Sequence, residues 1–304
     1  MRLKHVIESQ QFTVPLLMEL FDRTRQMERI VARGGTRDYA GRIMATLFYE
    51  PSTRTRFSFE AAMYRLGGRV LSTEHAKVFS SEFDTEQLED TIRIISGCSD
   101  AIVLRHTEAG GARRAAQVSA VPVINAGDGS SGQHPTQALL DLYTIYRERR
   151  SLDGLTLAIV GDLDRGRTAR SLAYLVSKFP RVKIHFVSPP EVRMGDDILE
   201  HLDEHDVWYD VLTDVEPVAA QVDVIYQTRI RPDRVADRET LGRYTINTRL
   251  LQRMKPEAMI LHPLPRTVEI DKAVDADPRA LYFKQARNGL FVRMALLTML
   301  WDQD

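Results

Sequence analysis

Apolar residues gather in short β-rich runs at residues 45–49, 101–104, 121–125, 155–161, 182–187, 222–228 and 258–261, with helically spaced stretches between them. Within Leu157-Ala158-Ile159-Val160 no polar residue alternates, which predicts a strand buried on both faces. Strands alternating with helices imply parallel sheets. The expected fold is α/β in two domains, each a doubly wound parallel sheet with helices on both faces, and 304 residues suffice for two such cores.

The pattern delimits three helices. The first starts after Thr13 as N-cap, has Pro15 just inside, and runs to about Ala32 with Leu16, Leu17, Leu20, Met27, Ile30 and Val31 on its apolar side. Another runs from Thr136 to about Arg149, contains Leu139, Leu140, Leu142 and Tyr143, and ends in Arg147, Arg149 and Arg150, which suit a helix C-terminus. After the turn Ser151-Leu152-Asp153-Gly154 the alternation starts afresh, so the domains are expected at 1–135 and 136–286. The last helix, Leu290 to Trp301, has no strand after it. Segment 287–304 is expected to pack back on the first domain and complete it.

Composition narrows the possibilities. Apolar residues at 43% and charged residues at 27% exclude a mainly disordered, collagenous or coiled-coil protein. Lys and Arg number 41 against 42 Asp and Glu, so bulk charge gives no reason to expect nucleic acid or an anionic membrane as partner. Any anion site has to be local. No window approaches the roughly 18 apolar residues of a membrane span, and the start of the chain has no signal-peptide run, so a cytoplasmic protein is expected. Cys98, the single cysteine, is expected to be a small buried hydrophobe in a reducing compartment.

The most informative segment is Tyr49-Glu50-Pro51-Ser52-Thr53-Arg54-Thr55-Arg56, between a predicted strand and a helix ending at Gly67-Gly68. Three hydroxyls, two guanidinium groups and the free amides of a helix N-terminus converge there, which is the equipment for holding a phosphate. Plain N-capping by Ser52 or Thr53 with solvated arginines is the alternative, and the Arg-Thr-Arg continuation weighs against it. The run from Gly161 to Thr168 has the outline of a P-loop, but Arg167 stands where that loop needs lysine, which disfavours a nucleoside-triphosphate site. His201-Leu202-Asp203-Glu204-His205 matches a zinc-peptidase spacing. Its acidic surroundings read as a solvated helix face, no third ligand stands out, and no metal or cofactor is expected.

Phe48-Tyr49-Glu50-Pro51-Ser52-Thr53-Arg54-Thr55-Arg56-Phe57-Ser58-Phe59-Glu60 resembles the carbamoyl-phosphate signature of the transcarbamoylases, the aspartate and ornithine carbamoyltransferase family. Arg105-His106-Thr107, Asn125 to Gly129, Gln133-His134-Pro135-Thr136-Gln137, Val160 to Leu163 and Leu261 to Arg266 resemble motifs of its aspartate branch in the same order. The resemblance spans nearly the whole chain. It implies carbamoyl transfer from carbamoyl phosphate to an amino acid, L-aspartate in that branch, in an early step of pyrimidine synthesis. By resemblance, Ser52, Thr53, Arg54, Thr55, Arg105 and Ser80 hold carbamoyl phosphate, with Arg54 neutralising the leaving phosphate. Thr55, Arg105 and His134 address the carbonyl oxygen and Gln137 the carbamoyl nitrogen. Arg167, Arg229 and Arg231 surround the acceptor, whose amine meets the backbone carbonyls of Leu264 and Pro265. Ligands are expected in an interdomain crevice beyond the strand C-termini, in a homotrimer with shared sites. The sequence does not read out a regulatory chain.

Two positions depart from the family pattern. The aspartate branch carries Ser-Ser-x-x-Lys-Gly-Glu, whose lysine touches both substrates; here the segment reads Phe79-Ser80-Ser81-Glu82-Phe83-Asp84-Thr85-Glu86-Gln87-Leu88. Asp84 stands in the lysine's place, and a unit charge about 5 Å from another, at an effective dielectric near 20, is worth on the order of 3 kcal/mol per charge pair, so reversing its sign beside a dianion is severely unfavourable. Arg231 stands where the family usually has glutamine. Three readings stay open here: aspartate transfer with Arg231 or Lys77 compensating, a different amine acceptor, or a weakened homologue with a binding or scaffold role.

Overall fold

The structure is a computed structural model and describes residues 3–74, 87–129, 132–235 and 239–302. The chain divides into two compact units, Met1–Thr136 with Asn288–Asp304, and Gln137–Arg287.

The first unit is built on a four-stranded parallel sheet in the order β2-β1-β3-β4. Its strands are β1 (Ile43–Phe48), β2 (Arg69–Glu74), β3 (Ala101–His106) and β4 (Val123–Asp128). β1 pairs with β3 in a register that sets Leu47 beside Leu104. The chain moves outward from β1 to β2 and then back past β1 to β3. With right-handed crossovers, that reversal places α2 (Thr53–Arg65) on one face and α3 (Leu88–Ser96) and α4 (Gly111–Val118) on the other. The second unit repeats the plan with a five-stranded parallel sheet in the order β7-β6-β5-β8-β9. Its strands are β5 (Thr156–Val160), β6 (Lys183–Val187), β7 (Trp208–Leu212), β8 (Val224–Gln227) and β9 (Met259–Leu261), with α6 (Arg167–Val176), α7 (Asp196–Glu204) and the short α8 (Thr248–Leu251) between them. The expected two-domain, doubly wound α/β fold is what forms.

The first helix, α1 (Val14–Ala32), begins as its sequence dictates: Thr13 Oγ1 accepts from the Leu16 N–H at 3.4 Å and Pro15 occupies the first turn. Its buried stripe is Leu17, Leu20, Phe21, Thr24 and Met27, a spacing of three and four. Leu16, Ile30 and Val31 are only half-buried at its edge. Helix α5 (Pro135–Arg149) is buried at every position from His134 to Ile145 except Gln137. Arg149 caps its end by donating to the carbonyls of Ser151 at 2.9 Å and Asp153 at 3.0 Å.

Two strands and two helical turns lie outside the apolar pattern. β2 and β7 are the outer strands of their sheets, and none of their described side chains is buried, so no apolar run marks them. Helix α9 (Tyr282–Trp301) starts eight residues ahead of Leu290 because its first turns bury the polar Gln285 and Asn288. Its far end docks on the first unit, where Trp301 Nε1 donates to the Asp100 carbonyl at 3.0 Å and Arg293 donates to Ser58 Oγ at 2.6 Å. Cys98 corrects an expectation. It is exposed, in the turn that follows Gly97 at the end of α3, and not a core residue.

Candidate active site

In a doubly wound sheet, ligands sit beyond the strand C-termini where the winding reverses. In the first unit that point lies between β1 and β3. The loop after β1 leads through Ser52 into α2. Ser52 is the N-cap residue, yet its side chain makes no capping bond, so its hydroxyl is not spent on the helix. Plain N-capping is thereby set aside. Thr53 and Arg54 are exposed on the first turn and Thr55 is buried. Arg56 departs from the expectation: its guanidinium lies 3.7 Å from Glu60 one turn on, and Glu60 also accepts from Ser72 Oγ at 2.6 Å. Of the two arginines, Arg56 is thereby committed within α2, whereas Arg54 is exposed on its first turn.

Arg105, near the end of β3, is held on two sides: Nη1 donates to the Ala126 carbonyl at 3.2 Å and Nη2 lies 3.2 Å from Glu50. His134 is buried just ahead of α5, with Nδ1 3.4 Å from Thr136 Oγ1. Asp128 pins its approach, accepting from the N–H groups of Gln133 at 3.1 Å and Gly110 at 2.9 Å and from Asn125 Nδ2 at 3.0 Å. Ser80, Lys77 and Asp84 lie outside the described residues.

In the second unit the winding reverses between β5 and β8. Gly161, at φ +131°, closes this point: a Cβ there would sit 2.2 Å from Thr228 Oγ1, so only glycine lets the two strand ends approach. The Asp162 N–H donates to the Arg229 carbonyl at 3.2 Å. Arg234 clamps the same two loops, forking onto Asp162 at 2.8 and 2.6 Å and reaching Asp164. The loops carrying Arg167, at the start of α6, and Arg229 are therefore tied together by named bonds. Arg231 does not add an unmatched cation: it donates to both carboxylate oxygens of Asp233, at 3.3 and 3.0 Å, on the exposed surface.

Leu264 has φ +53° and is followed by a cis peptide bond to Pro265. The Leu264 N–H donates to His262 Nδ1 at 2.8 Å, which leaves His262 Nε2–H to donate to Glu269 at 2.8 Å. That tautomer is neutral. Burial holds the His262 pKa below its usual value, in keeping with this geometry. Burial alone pushes Glu269 upward, but hydrogen bonds from His262 and Thr267 outweigh it and hold the carboxylate at about 2.

Behind this loop lies a fully buried carboxylate, Asp141 on α5. Its Oδ1 accepts from Gln137 Nε2 at 2.7 Å and Gln285 Nε2 at 2.6 Å, and its Oδ2 from Tyr226 Oη at 2.7 Å. Burial and the adjacent Asp141 carboxylate hold the Tyr226 phenol well above its ordinary pKa, so it stays a donor. Gln285 Oε1 in turn accepts from the His262 N–H at 2.8 Å. Sequence reading missed Asp141, Glu269, Glu50 and the Asp162–Arg234 clamp. For Asp141 a signal existed: one acidic residue amid an otherwise apolar helical run.

His201, Glu204 and His205 project ligand atoms within 4.8 Å of one another, so Glu204 is the third group that the sequence reading lacked. His205 Nδ1 donates to the His201 carbonyl at 2.8 Å, and His201 Nε2 lies 3.4 Å from Ser177 Oγ.

Residues 4–147 match the family model described as "Aspartate/ornithine carbamoyltransferase, carbamoyl-P binding domain", and residues 153–300 match its "Asp/Orn binding domain". The chain belongs to the aspartate/ornithine carbamoyltransferase family. A rice relative, "Aspartate carbamoyltransferase, chloroplastic", is 55% identical over 312 residues, covering 99% of this chain and 85% of its own. The solved catalytic subunit of M. jannaschii aspartate transcarbamoylase has a TM-score of 0.93 at 45% identity over 99% of both chains. The aspartate transcarbamoylase of Trypanosoma cruzi in complex with carbamoyl phosphate and aspartate has a TM-score of 0.92 at 37% identity, over 97% of this chain and 95% of its own. The chain is a carbamoyltransferase, and these relatives set it in the aspartate branch of the family. Among the described residues, no helix is long and apolar enough to cross a membrane.

Proposed function

We propose that the protein transfers the carbamoyl group of carbamoyl phosphate to the amine of L-aspartate, giving N-carbamoyl-L-aspartate and phosphate. The observation that carries this reading is the uncommitted Ser52 hydroxyl at the head of α2, beside Arg54 and Thr55 at the reversal point of the first sheet. Ser52, Thr53, Arg54 and the first-turn amides bind the phosphate, and the macrodipole of α2 favours its charge. Thr55, Arg105 and His134 donate toward the carbonyl oxygen, where negative charge grows as the amine lone pair attacks the carbonyl carbon. The C–O bond to phosphate then breaks, the phosphate departs with the bonding electrons, and the amine gives up one proton to the departing phosphate. Arg54 meets the charge on the leaving group. Arg167 and Arg229 take the two carboxylates of aspartate, and the carbonyls of Leu264 and Pro265 accept the amine N–H groups and orient its lone pair.

The different-acceptor and scaffold readings are not favoured. The curated relatives, 46–55% identical over 97–99% of the chain, are aspartate carbamoyltransferases, and Arg231 is neutralised by Asp233. The T. cruzi enzyme crystallised with carbamoyl phosphate and aspartate supports the same pair of substrates here. By family resemblance we extend the proposal to a homotrimer. For compartment we take the cytoplasm, a reducing setting in which a lone exposed cysteine stays a thiol; the rice and Arabidopsis relatives are named as chloroplastic.

Phosphate release and carbamoylated product, measured across a panel of amino acids, test the activity. Product from aspartate alone is the expected result, and product only from another amine, or from none, would overturn it. Within that assay Arg229→Ala is expected to raise KM for aspartate about 30-fold, the loss of roughly 2 kcal/mol from a charge-assisted bond. Arg231→Ala is expected to shift it less than about threefold, because an exposed cation already paired with Asp233 has little left to give.

A further inference from the structure

Carbamoyl phosphate differs from acetyl phosphate only in presenting an NH2 donor where the other has a methyl group. A site that separates them needs a hydrogen-bond acceptor aimed at that nitrogen. Gln137 carries both an acceptor and a donor on one planar amide, so which arm faces the substrate decides whether it recognises the carbamoyl group or repels it. The amide is not free to choose. Gln137 Nε2 donates to Asp141 Oδ1 at 2.7 Å, one helical turn along α5. Asp141 is fully buried, and it also accepts from Gln285 Nε2 at 2.6 Å and Tyr226 Oη at 2.7 Å. Three donors converging on one carboxyl group require it to act purely as an acceptor. Turning the Gln137 amide over would set its oxygen against the Asp141 oxygen with no proton between them. The Gln137 Oε1 is thus turned away from Asp141, at the one position from His134 to Ile145 where the helix is not buried.

We propose that Asp141 is a specificity-determining positioning residue: by locking the Gln137 amide with its oxygen outward, it makes the enzyme select carbamoyl phosphate over acetyl phosphate. The inference rests on the assignment of Gln137 to the carbamoyl nitrogen. Asparagine at position 141 alone keeps its oxygen toward Gln137 and Gln285, because the Tyr226 hydroxyl can turn to accept its NH2. Combined with Gln285→Glu, whose one oxygen still accepts the His262 N–H and whose other needs a donor, it presents that NH2 to the new carboxylate and to the Gln137 oxygen instead. The Gln137 amide then turns its NH2 toward the substrate NH2, donor against donor, whereas the methyl of acetyl phosphate loses nothing comparable.

The test is the ratio of kcat/KM for carbamoyl phosphate to that for acetyl phosphate, with aspartate as acceptor, because general damage to the fold lowers both and leaves the ratio alone. Asp141→Asn with Gln285→Glu is expected to lower the ratio at least about tenfold, through loss on the carbamoyl side. Asp141→Asn alone, which keeps an acceptor for Gln137, and Tyr226→Phe, which removes a donor from Asp141 without touching the Gln137 bond, are each expected to keep the ratio within about twofold. Adding Gln137→Glu to the double variant returns an acceptor to the outward position and is expected to restore the ratio even if both rates fall. It also carries the test if the double variant alone does not fold. Gln137→Ala separates the two ideas. An unchanged ratio there refutes the assignment of Gln137, and the role of Asp141 falls with it. A lowered ratio in Gln137→Ala with an unchanged ratio in the folded double variant, or with no restoration in the triple variant, overturns the role of Asp141 alone.

Discussion

Arg54→Ala is expected to lower kcat/KM for carbamoyl phosphate by about a thousandfold, while leaving the thermal midpoint within about 2 °C of the parent. The two halves of this expectation come from different parts of the structure. Arg54 is exposed on the first turn of α2, so its removal opens no cavity in the core. Substitutions at such positions usually change stability by less than about 0.5 kcal/mol. The kinetic loss follows from the chemistry. A phosphate leaving with the electrons of the broken C–O bond gains charge in the transition state, and a preorganised donor meeting that charge contributes about 3–4 kcal/mol to catalysis. Uncommitted amides and the Ser52 hydroxyl remain to bind phosphate, so most of the loss should fall in kcat. Initial-rate kinetics beside a thermal melt check it. A loss below about tenfold, or one confined to KM, would place the leaving-group charge on another residue.

How much of this was legible in the sequence depends on where the partners lie. β5 could be read because a strand covered on both faces needs apolar residues at every position, and Thr156–Val160 is buried at four of its five. β2 and β7 escaped because outer strands carry mixed side chains. The opening turns of α9 escaped because buried polar residues, Gln285 and Asn288, break the apolar period while still being interior. The proposed phosphate site could be read from the sequence as a candidate because Ser52 to Arg56 are five consecutive residues at one strand-to-helix junction. Even there one local partner was overlooked, since Glu60 claims Arg56 from one turn along the same helix. The same holds for Asp233, two residues beyond Arg231. The clamp between Asp162 and Arg234, 72 positions apart, and the Asp141–Gln285 bond, 144 apart, have no local signature. The first pairing is set by which strand ends the sheet order brings together, the second by the meeting of α5 with the first turns of α9.

Glu269→Gln is expected to destabilise the protein by roughly 3 kcal/mol at pH 7, with the difference from the parent shrinking as the pH falls below about 4.5 toward 2. Glu269 is buried and accepts three hydrogen bonds: from His262 Nε2 at 2.8 Å, the Thr267 N–H at 3.0 Å and Thr267 Oγ1 at 2.7 Å. These bonds favour the ionised form more than burial disfavours it, so the folded pKa, about 2, lies below the ordinary 4.5. A carboxyl depressed in this way stabilises the fold fully above its unfolded value, and that contribution is lost as pH falls through the folded value. Glutamine keeps one acceptor for His262 but turns its buried NH2 toward the Thr267 N–H, donor against donor, and loses the charge that strengthened all three bonds. The kinetic consequence follows from His262, whose other nitrogen accepts the Leu264 N–H and helps hold that residue at φ +53°, a backbone region costing a leucine about 1–2 kcal/mol. With His262 held by a neutral amide in place of a carboxylate its anchor weakens, and the Leu264 and Pro265 carbonyls lose part of their fixed direction. KM for aspartate should then rise several-fold more than KM for carbamoyl phosphate. Denaturant titrations of parent and variant from pH 3 to pH 8, read beside both KM values at pH 7, decide it: parallel stability curves that never converge in acid would mean that Glu269 is not the ionised anchor of the loop.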